Sequence, residues 1–205
     1  MSIPRRLVRT VPAETSVEAD ALWHRAMQMH PDWQHIDLRD PVDPELFPLT
    51  SLYWDTCESG AQLADLIRAE ELFARGGCYI DSDYEVFRPF DVLCQQQAWA
   101  GWEDSRHICN AAIGFRPGHL GLGEYIQQAI ARHHMGTWAA GVGTFTEVFK
   151  DRTDILLLPP ESLYPVHYSN KHTIDRTMAA ANPSEMWPWA FGIHRWRHSW
   201  KEKTA

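Results

Sequence analysis

The amino-acid sequence predicts a single α/β domain, and three observations indicate it. Short apolar runs bounded by turn residues are typical of buried strands. They alternate with segments whose apolar residues recur every three or four positions, as in amphipathic helices. A length of 205 residues suits one compact core. Alternating strands and helices favour a sheet flanked by helices over a bundle or a sandwich. We therefore expect one domain over residues 1–205.

The first part of the chain contains two expected strands with a helix between them. The first strand, IPRRLVRTVP, is closed by Pro12, and the second is WQHIDLRD. Thr15 or Ser16 can cap the intervening helix, whose apolar residues keep helical spacing until the helix stops near Pro31.

The clearest helix in the sequence runs from Ser59 to Gly77. It begins with a Ser-x-x-Gln capping box and ends at a pair of glycines. Asp65 and Arg68 are three residues apart and project from a common face, where an exposed ion pair is the ordinary interpretation. The run CYI that follows has the length and composition of a buried strand.

Past Pro89 the expected elements continue to alternate, without any internal repeat. In chain order they are an apolar run QAWAGWED, a strand ICNAAIGFRPGH, a helix GLGEYIQQAIARHH, a helix GVGTFTEVFKD, a buried strand ILLLPP, and an aromatic and basic element FGIHRWRHSW.

Charge and cysteine content argue against several classes of protein. A net charge of −8 disfavours general electrostatic binding to nucleic acid, although the C-terminal element forms a local basic patch. The four cysteines show neither a CxxC pair nor metal-finger spacing, so we expect reduced core thiols. There is no signal-peptide h-region, and no apolar run approaches the ~20 residues of a membrane span. We therefore expect a soluble, cytoplasmic protein.

The motif Asp81-Ser82-Asp83 directly follows the expected strand CYI. In an extended strand, residues two apart face the same side at roughly 6.6 Å, so Ser82 would face away and the carboxylates could converge. Two carboxylates that close resist joint ionisation unless a cation lies between them, and oxygen ligands favour Mg²⁺ or Mn²⁺. Open α/β sheets bind ligands at this end of their strands. The ordinary alternative is a solvated turn.

Two other Asp-x-Asp systems fit the residues less well. A helix-loop-helix calcium loop needs Gly and Glu where this chain has Val86 and Val92. Haloacid-dehalogenase phosphotransferases have Thr or Val where this chain has Glu85. A metal-dependent phosphohydrolase or phosphotransferase using Asp81 and Asp83 stays open as an alternative, as does an inactive sugar-binding module.

The stretch DLIRAEELFARGGCYIDSDYEVFRPFD resembles the signature of sugar transferases that contain a DXD sugar-binding motif. That family includes initiating α-1,6-mannosyltransferases and capsular polysaccharide transferases and is distantly similar to clostridial toxin glucosyltransferases. IPRRLVRTVP, MHPDWQHIDLRD, NAAIGFRPGH and FGIHRWRHSW resemble further family segments in the family's order. The sequence departs from the family pattern at Val8, Arg9 and Gly143.

The resemblance implies a GT-A-type domain, that is, an α/β fold with a mixed central sheet flanked by helices. It also implies a divalent cation, Mn²⁺ or Mg²⁺, that bridges the diphosphate of a UDP-sugar or GDP-mannose donor. Asp83 would bind this metal directly, Asp81 would contact the ribose or the sugar and reach the metal through water, and His194 would complete the metal or diphosphate site.

The remaining site residues also come from the resemblance. Asp65 and Arg68 resemble a pair that lies against the donor sugar and, with Asp81 and Asp83, form the predicted catalytic set. The predicted contacts of the nucleotide sugar further include Thr10, Val11, Asn110, Ser199 and Trp200. For Asn110, a hydrogen bond that satisfies the end of a strand is an equal alternative. The last two would close over the phosphates within a donor-closing element at about residues 190–203.

These residues predict a metal-dependent glycosyltransferase, and retention of anomeric configuration is implied by the resemblance alone. The acceptor stays open among a glycan, a protein and a modified nucleic acid base. Glu103 and Asp104, in an expected loop, are candidates for acceptor contact. The pair His133-His134 ends a helix, where we expect a structural role.

Overall fold

The structure is a computed structural model that describes residues 2–180 and 182–197. Its strands are β1 Arg6–Val11, β2 Gln34–Arg39, β3 Gly77–Ile80, β4 Tyr84–Val86, β5 Ala98–Trp102, β6 Ile108–Phe115, β7 Leu156–Leu158 and β8 Gly192–His194. Its α-helices are α1 Val17–Met29, α2 Gly60–Arg75, α3 Leu120–Ala131, α4 Thr144–Phe149, α5 Pro160–Leu163, α6 Ile174–Ala180 and α7 Pro183–Met186. The predicted α/β class is confirmed.

The central sheet has the strand order β2-β1-β3-β6-β5-β7. β6 is antiparallel to both of its neighbours, whereas the other pairs in this sheet are parallel. The sheet is therefore mixed, as predicted, and β1, β2, β3, β5 and β7 end at the same edge. A separate antiparallel ribbon joins β4 to β8 and brings the C-terminal segment beside the chain that leaves β3.

Apolar residues alternate between the two faces of the sheet, as the pleat requires. Leu7, Cys78 and Ile80 belong to the core on the face covered by α1. Their neighbours Val8 and Tyr79 belong to the opposite core, which α2, α3 and α4 cover. Burial on both faces explains why β3 reads as an unbroken apolar run.

The helix starts follow the predicted capping residues. The Ser16 hydroxyl accepts a hydrogen bond from the Ala19 N–H at 3.1 Å and caps α1, while Thr15 instead donates to Asp20. The Ser59 hydroxyl accepts from the Gln62 N–H at 3.1 Å at the start of α2. Gly76, with φ of +68°, ends α2 in the left-handed region that glycine tolerates.

The second half of the chain differs from expectation in detail. The predicted buried strand ILLLPP forms β7, but β7 lies at the sheet edge, so Leu156 is 38 % exposed. The segment GVGTFTEVFKD is helical as predicted, and a π-helical turn over Ala139–Gly143 precedes α4. Three of the four cysteines are buried, and Cys57 is half-buried. Among the described residues, no helix is long and apolar enough to cross a bilayer.

Candidate active site

A pocket of about 580 Å³ opens at the edge where β1, β2 and β3 end and β6 begins. Several loops and α2 complete its walls. The sequence-predicted residues among its lining are Thr10, Val11, Asp65, Arg68, Asp81, Asp83, Asn110 and His194. Residues that are far apart in the sequence therefore meet at one ligand-sized site. Ser199 and Trp200, the predicted closing residues, lie outside the described residues.

Asp81 and Asp83 stand in a tight turn and not on an extended strand. β3 ends at Ile80, although the Asp81 N–H still donates to the Ala111 carbonyl of β6 at 2.8 Å. The Tyr84 N–H then donates to the Asp81 carbonyl at 3.0 Å and closes the turn. Ser82, between the two acidic residues, also lines the pocket. This turn brings the two carboxylates close together, and β4 then pairs with β8.

His194 lies between the two acidic side chains. Its Nε2 atom is 3.0 Å from Asp83 Oδ1 and 3.7 Å from Asp81 Oδ2. The other oxygen of Asp83 accepts a hydrogen bond from the Arg197 backbone N–H at 2.7 Å. Asp83 is thus fixed by two donors from the C-terminal segment, which β8 brings to the turn.

The pKa values in this cluster follow from burial and charge together. Burial raises the pKa of Asp83, but the charge and hydrogen bond of His194, together with backbone N–H donors such as that of Arg197, outweigh burial and lower the pKa to about 2. Burial lowers the pKa of His194, whereas the charge and hydrogen bond of Asp83 raise it well above its usual value. For Asp81, burial dominates over Arg68 and His194, and its pKa is raised. The protonated imidazole therefore balances negative charge that would otherwise accumulate at the turn.

A chain of polar groups ties Asp81 to the sheet. The Tyr79 hydroxyl donates to Asp81 Oδ1 at 2.9 Å, and the Thr10 hydroxyl lies 2.7 Å from the Tyr79 oxygen. Arg68 Nη2 contacts the same Asp81 oxygen at 3.0 Å, and its guanidinium carbon lies 4.3 Å from the centre of the Tyr79 ring. Oδ1 of Asp81 thus has two partners, and Oδ2 lies 3.7 Å from His194 Nε2.

Asp65 and Arg68 are buried, at 8 % and 4 % exposure, so the interpretation as an exposed ion pair is wrong. The reason is that α2 lies between the sheet and other helices and buries residues 65–72 without a break. Asp65 Oδ1 accepts from the Asn110 amide at 2.8 Å, and Arg68 Nη1 donates to the Asn110 carbonyl at 2.9 Å. Asn110 therefore ties both side chains to the start of β6.

The three side chains of Asp81, Asp83 and His194 fit a divalent cation. One ligand atom from each lies within 4.8 Å of the others, so the atoms can surround one ion. Two carboxylates and an imidazole are suitable ligands for Mn²⁺, and the carboxylates also suit Mg²⁺. In binding a cation, His194 would release the proton it shares with Asp83.

The structure separates the two predicted acceptor-contact residues. Glu103 borders the pocket, whereas Asp104 does not. Asp104 accepts from the backbone N–H groups of Arg106 and His107 at 2.7 and 2.8 Å and so stabilises the β5–β6 turn. The His133 ring interacts with the Ile130 carbonyl at 3.1 Å, a local helix-end contact.

Sequence reasoning missed several residues of the pocket. Tyr79 was treated only as part of an apolar strand, although its hydroxyl contacts both Thr10 and Asp81. Gly141 went unnoticed, yet a Cβ atom at this position would lie 2.2 Å from Asp65 Oδ2. Trp138 and Tyr168 also line the pocket. A glycine-rich sequence around an isolated Trp, GTWAAGVG, was the one available signal.

Residues 16–100 match the family described as the glycosyltransferase sugar-binding region containing DXD motif. Over these residues the chain is similar to the DXD-motif glycosyltransferases. The predicted resemblance is thus confirmed. Inositol phosphoceramide mannosyltransferase 3 of Schizosaccharomyces pombe strain 972 is 28 % identical over 97 residues, which is 45 % of this chain and 27 % of that relative. The chain therefore spans about a quarter of the length of this curated relative.

Solved structures of glycosyltransferases share the fold of this chain. PaToxG glycosyltransferase superimposes with a TM-score of 0.61 at 14 % identity, covering 72 % of this chain and 69 % of that one. A glycosyltransferase involved in the glycosylation of the major capsid of PBCV-1 has a TM-score of 0.53 at 12 % identity and covers 92 % of each chain. The predicted GT-A fold is therefore confirmed.

Proposed function

We propose that the protein is a metal-dependent glycosyltransferase that moves a sugar from a nucleoside-diphosphate sugar to an acceptor hydroxyl. The observation that carries the proposal is the convergence of Asp81, Asp83 and His194 beside Asp65 and Arg68 in one pocket. Family and fold support the same activity.

The transfer exchanges one bond for another. The bond between the anomeric carbon and the diphosphate oxygen breaks, and its electron pair leaves with the diphosphate. The acceptor oxygen bonds to the anomeric carbon, and its proton passes to the released diphosphate. With the diphosphate as base, the acceptor approaches from the leaving-group side and the anomeric configuration is retained.

Each pocket residue has a role in this proposal. Asp81, Asp83 and His194 would hold the cation, whose positive charge stabilises the departing diphosphate. Asp65 would accept hydrogen bonds from hydroxyls of the donor sugar, because its carboxylate is held at the pocket wall by Asn110. Arg68 offsets the repulsion between the carboxylates of Asp65 and Asp81. Its Nη2 atom lies 3.4 Å from Asp65 Oδ1 and 3.0 Å from Asp81 Oδ1.

The nucleotide would lie along the ends of β1 and β2. Thr10, Val11 and Leu38 line that side of the pocket and offer an apolar surface for a base. UDP-sugars and GDP-mannose are the donors to test first, and the mannosyltransferase relative supports including mannose.

A donor panel with Mn²⁺ tests the proposal. We expect the protein to bind one donor and hydrolyse it slowly, and Asp83→Ala to abolish this reaction. Release of phosphate from simple phosphomonoesters without donor hydrolysis would instead support a phosphohydrolase. Donor binding without hydrolysis or transfer would indicate an inactive sugar-binding module.

The two acidic residues of the turn should contribute unequally to metal binding. Asp83 faces His194 at hydrogen-bond distance, whereas Asp81 already shares one oxygen with Arg68 and Tyr79. We expect Asp83→Ala to weaken Mn²⁺ binding by about 100-fold and Asp81→Ala to weaken it less. Mn²⁺ titration followed by electron paramagnetic resonance measures both. Equal losses would contradict the assignment of Asp83 as the main ligand.

A further inference from the structure

The pocket has a second part beyond the acidic turn. In the sheet order, β1 and β2 lie on one side of β3, and β6, β5 and β7 lie on the other. Glu103 directly follows β5, so it borders the pocket on the side away from Thr10 and Val11. The proposed donor contacts leave this second part unused.

Aromatic side chains dominate the second part. Trp138 and Tyr168 line the pocket and are 60 % and 40 % exposed. The Trp138 ring lies 5.5 Å from the ring of His107, at the end of the turn that follows Glu103, and Tyr168 directly follows His167, whose ring faces Glu103. The Trp196 ring lies 5.8 Å from the Tyr168 ring and 4.0 Å from the His194 ring, which connects this aromatic wall to the acidic turn. Large aromatic surfaces at a pocket wall can pack against the C–H face of a pyranose ring.

Glu103 is the carboxylate placed to complete such a site. Its side chain is 16 % exposed, and its Oε1 atom lies 3.6 Å from His167 Nε2. Its neighbour Asp104 is occupied by the backbone of the β5–β6 turn. Glu103 can therefore accept hydrogen bonds from hydroxyl groups that enter the pocket.

The charged group that borders the second part is acidic. Among the described lining residues, Arg68 is the only Lys or Arg, and its guanidinium already contacts Asp65, Asp81 and the Asn110 backbone carbonyl. Glu103 adds a carboxylate on this side, away from the acidic turn where a bound cation would offset the charge of the donor's diphosphate. A phosphate-rich acceptor would therefore meet repulsion in the second part, whereas a neutral polyhydroxyl compound would not.

We propose that Trp138, Tyr168 and Glu103 form an acceptor subsite for an uncharged sugar. The aromatic rings would hold the ring face, and Glu103 would orient its hydroxyls beside the acidic turn. This inference rests on the proposed glycosyltransferase function and narrows its acceptor to a glycan.

Saturation-transfer NMR tests the subsite without requiring catalysis. The probes are methyl α-D-mannopyranoside and methyl β-D-galactopyranoside, added to the protein with Mg²⁺ and either UDP or GDP. We expect at least one glycoside to bind, and Trp138→Ala to weaken its affinity about tenfold, with partial rescue in Trp138→Phe. Glu103→Gln should weaken it about fivefold.

Matched controls use residues outside the pocket. Trp189, which is 78 % exposed, and Glu161, which is also exposed, do not line it, so Trp189→Ala and Glu161→Gln should bind the glycoside as the wild type does. Nucleotide affinity, measured by calorimetry, should change less than twofold in Trp138→Ala.

The outcomes separate the two proposals. The subsite proposal is wrong, while the proposed function stands, if a nucleotide binds but no glycoside does. The same holds if Trp138→Ala and Trp189→Ala bind the glycoside with equal affinity. Transfer detected by mass spectrometry only to a hexanucleotide or a serine peptide would also overturn the subsite. If glycosides bind through Trp138 but no nucleotide or nucleotide sugar does, the glycosyltransferase proposal fails instead.

Discussion

Helix α2 buries two pairs of charged residues that serve different purposes. Asp65 and Arg68 lie in its middle, and Glu70 and Glu71 follow two residues later; all four are at most 8 % exposed. Burial alone therefore does not distinguish a functional charge from a structural one. The partners of each side chain do.

The second pair is satisfied entirely by the fold. Glu70 accepts hydrogen bonds from the Leu49 and Thr50 N–H groups, each at 2.9 Å, and from the Thr50 hydroxyl at 2.8 Å. Glu71 accepts from Arg6 at 2.6 Å and from Arg75 at 2.5 Å. These carboxylates fasten the loop before α2 and the start of β1 to the helix.

The first pair faces the pocket. Asp65 and Arg68 contact each other, Asn110 and the acidic turn, and both line the cavity. Gly141 has no side chain, which leaves room for Asp65 Oδ2. A buried charge that borders a cavity can act on a ligand, whereas one enclosed by backbone donors holds the fold together.

The largest expected effect is a loss of activity when Asp65, in the pair that faces the pocket, is replaced. Asp65→Asn keeps the shape of the side chain but replaces one carboxylate oxygen, which would accept hydrogen bonds from the donor sugar, with an NH₂ group. We expect the rate of donor hydrolysis to fall about 100-fold, as for other lost polar contacts to a transition state. The free energy of unfolding at neutral pH should not fall, because burial disfavours the charged form of Asp65, and Arg68 keeps Asp81 as a partner. Wild-type activity in Asp65→Asn would contradict its role.

The next effect concerns stability. Glu70→Gln gives three donors a neutral partner that carries an NH₂ group, so at least one donor loses its acceptor. We expect the free energy of unfolding in urea to fall by about 2 kcal/mol. The exposed Glu45 provides a control, since Glu45→Gln should change stability by less than about 0.5 kcal/mol. Equal stability of Glu70→Gln and Glu45→Gln would remove the distinction between the pairs.

The smallest effect is a pH dependence specific to Asp65. Burial, which outweighs Arg68, raises the pKa of Asp65 from 3.8 to about 6. Between these values the folded protein binds more protons than the unfolded chain, so the free energy of unfolding falls as the pH rises through this window. Asp65→Asn removes this contribution. As the pH rises through this window, the free energy of unfolding of Asp65→Asn should increase relative to that of the wild type, by at most about 1.4 kcal/mol per pH unit. Urea unfolding at several pH values measures the difference, and parallel profiles would contradict a buried, titrating Asp65.

Much of this arrangement could be predicted from local sequence signals. The caps of α1 and α2, the glycine stop of α2 and the apolar strand before Asp81 all depend on residues within one element. The family resemblance then connected Asp65, Arg68 and His194 to the acidic pair. These signals were sufficient for the fold class and for most of the pocket.

Features set by tertiary packing could not be predicted in the same way. The burial of Asp65 and Arg68 depends on the helices that cover α2, and the exposure of β7 depends on its place at the sheet edge. Arg9, a departure from the family pattern, proved to be buried between α1 and β2, where it contacts Asp20 at 3.0 Å and Asp37 at 2.9 Å. Such long-range contacts leave no periodicity in the sequence.

The most direct test compares Asp65→Asn and Glu70→Gln side by side, measuring donor hydrolysis and urea unfolding on the same samples. The account predicts a crossed result: Asp65→Asn loses hydrolysis but not stability, and Glu70→Gln loses stability but, per folded molecule, keeps its hydrolysis rate. Loss of hydrolysis in proportion to loss of stability in both variants would contradict the claim that the middle of α2 forms the donor site.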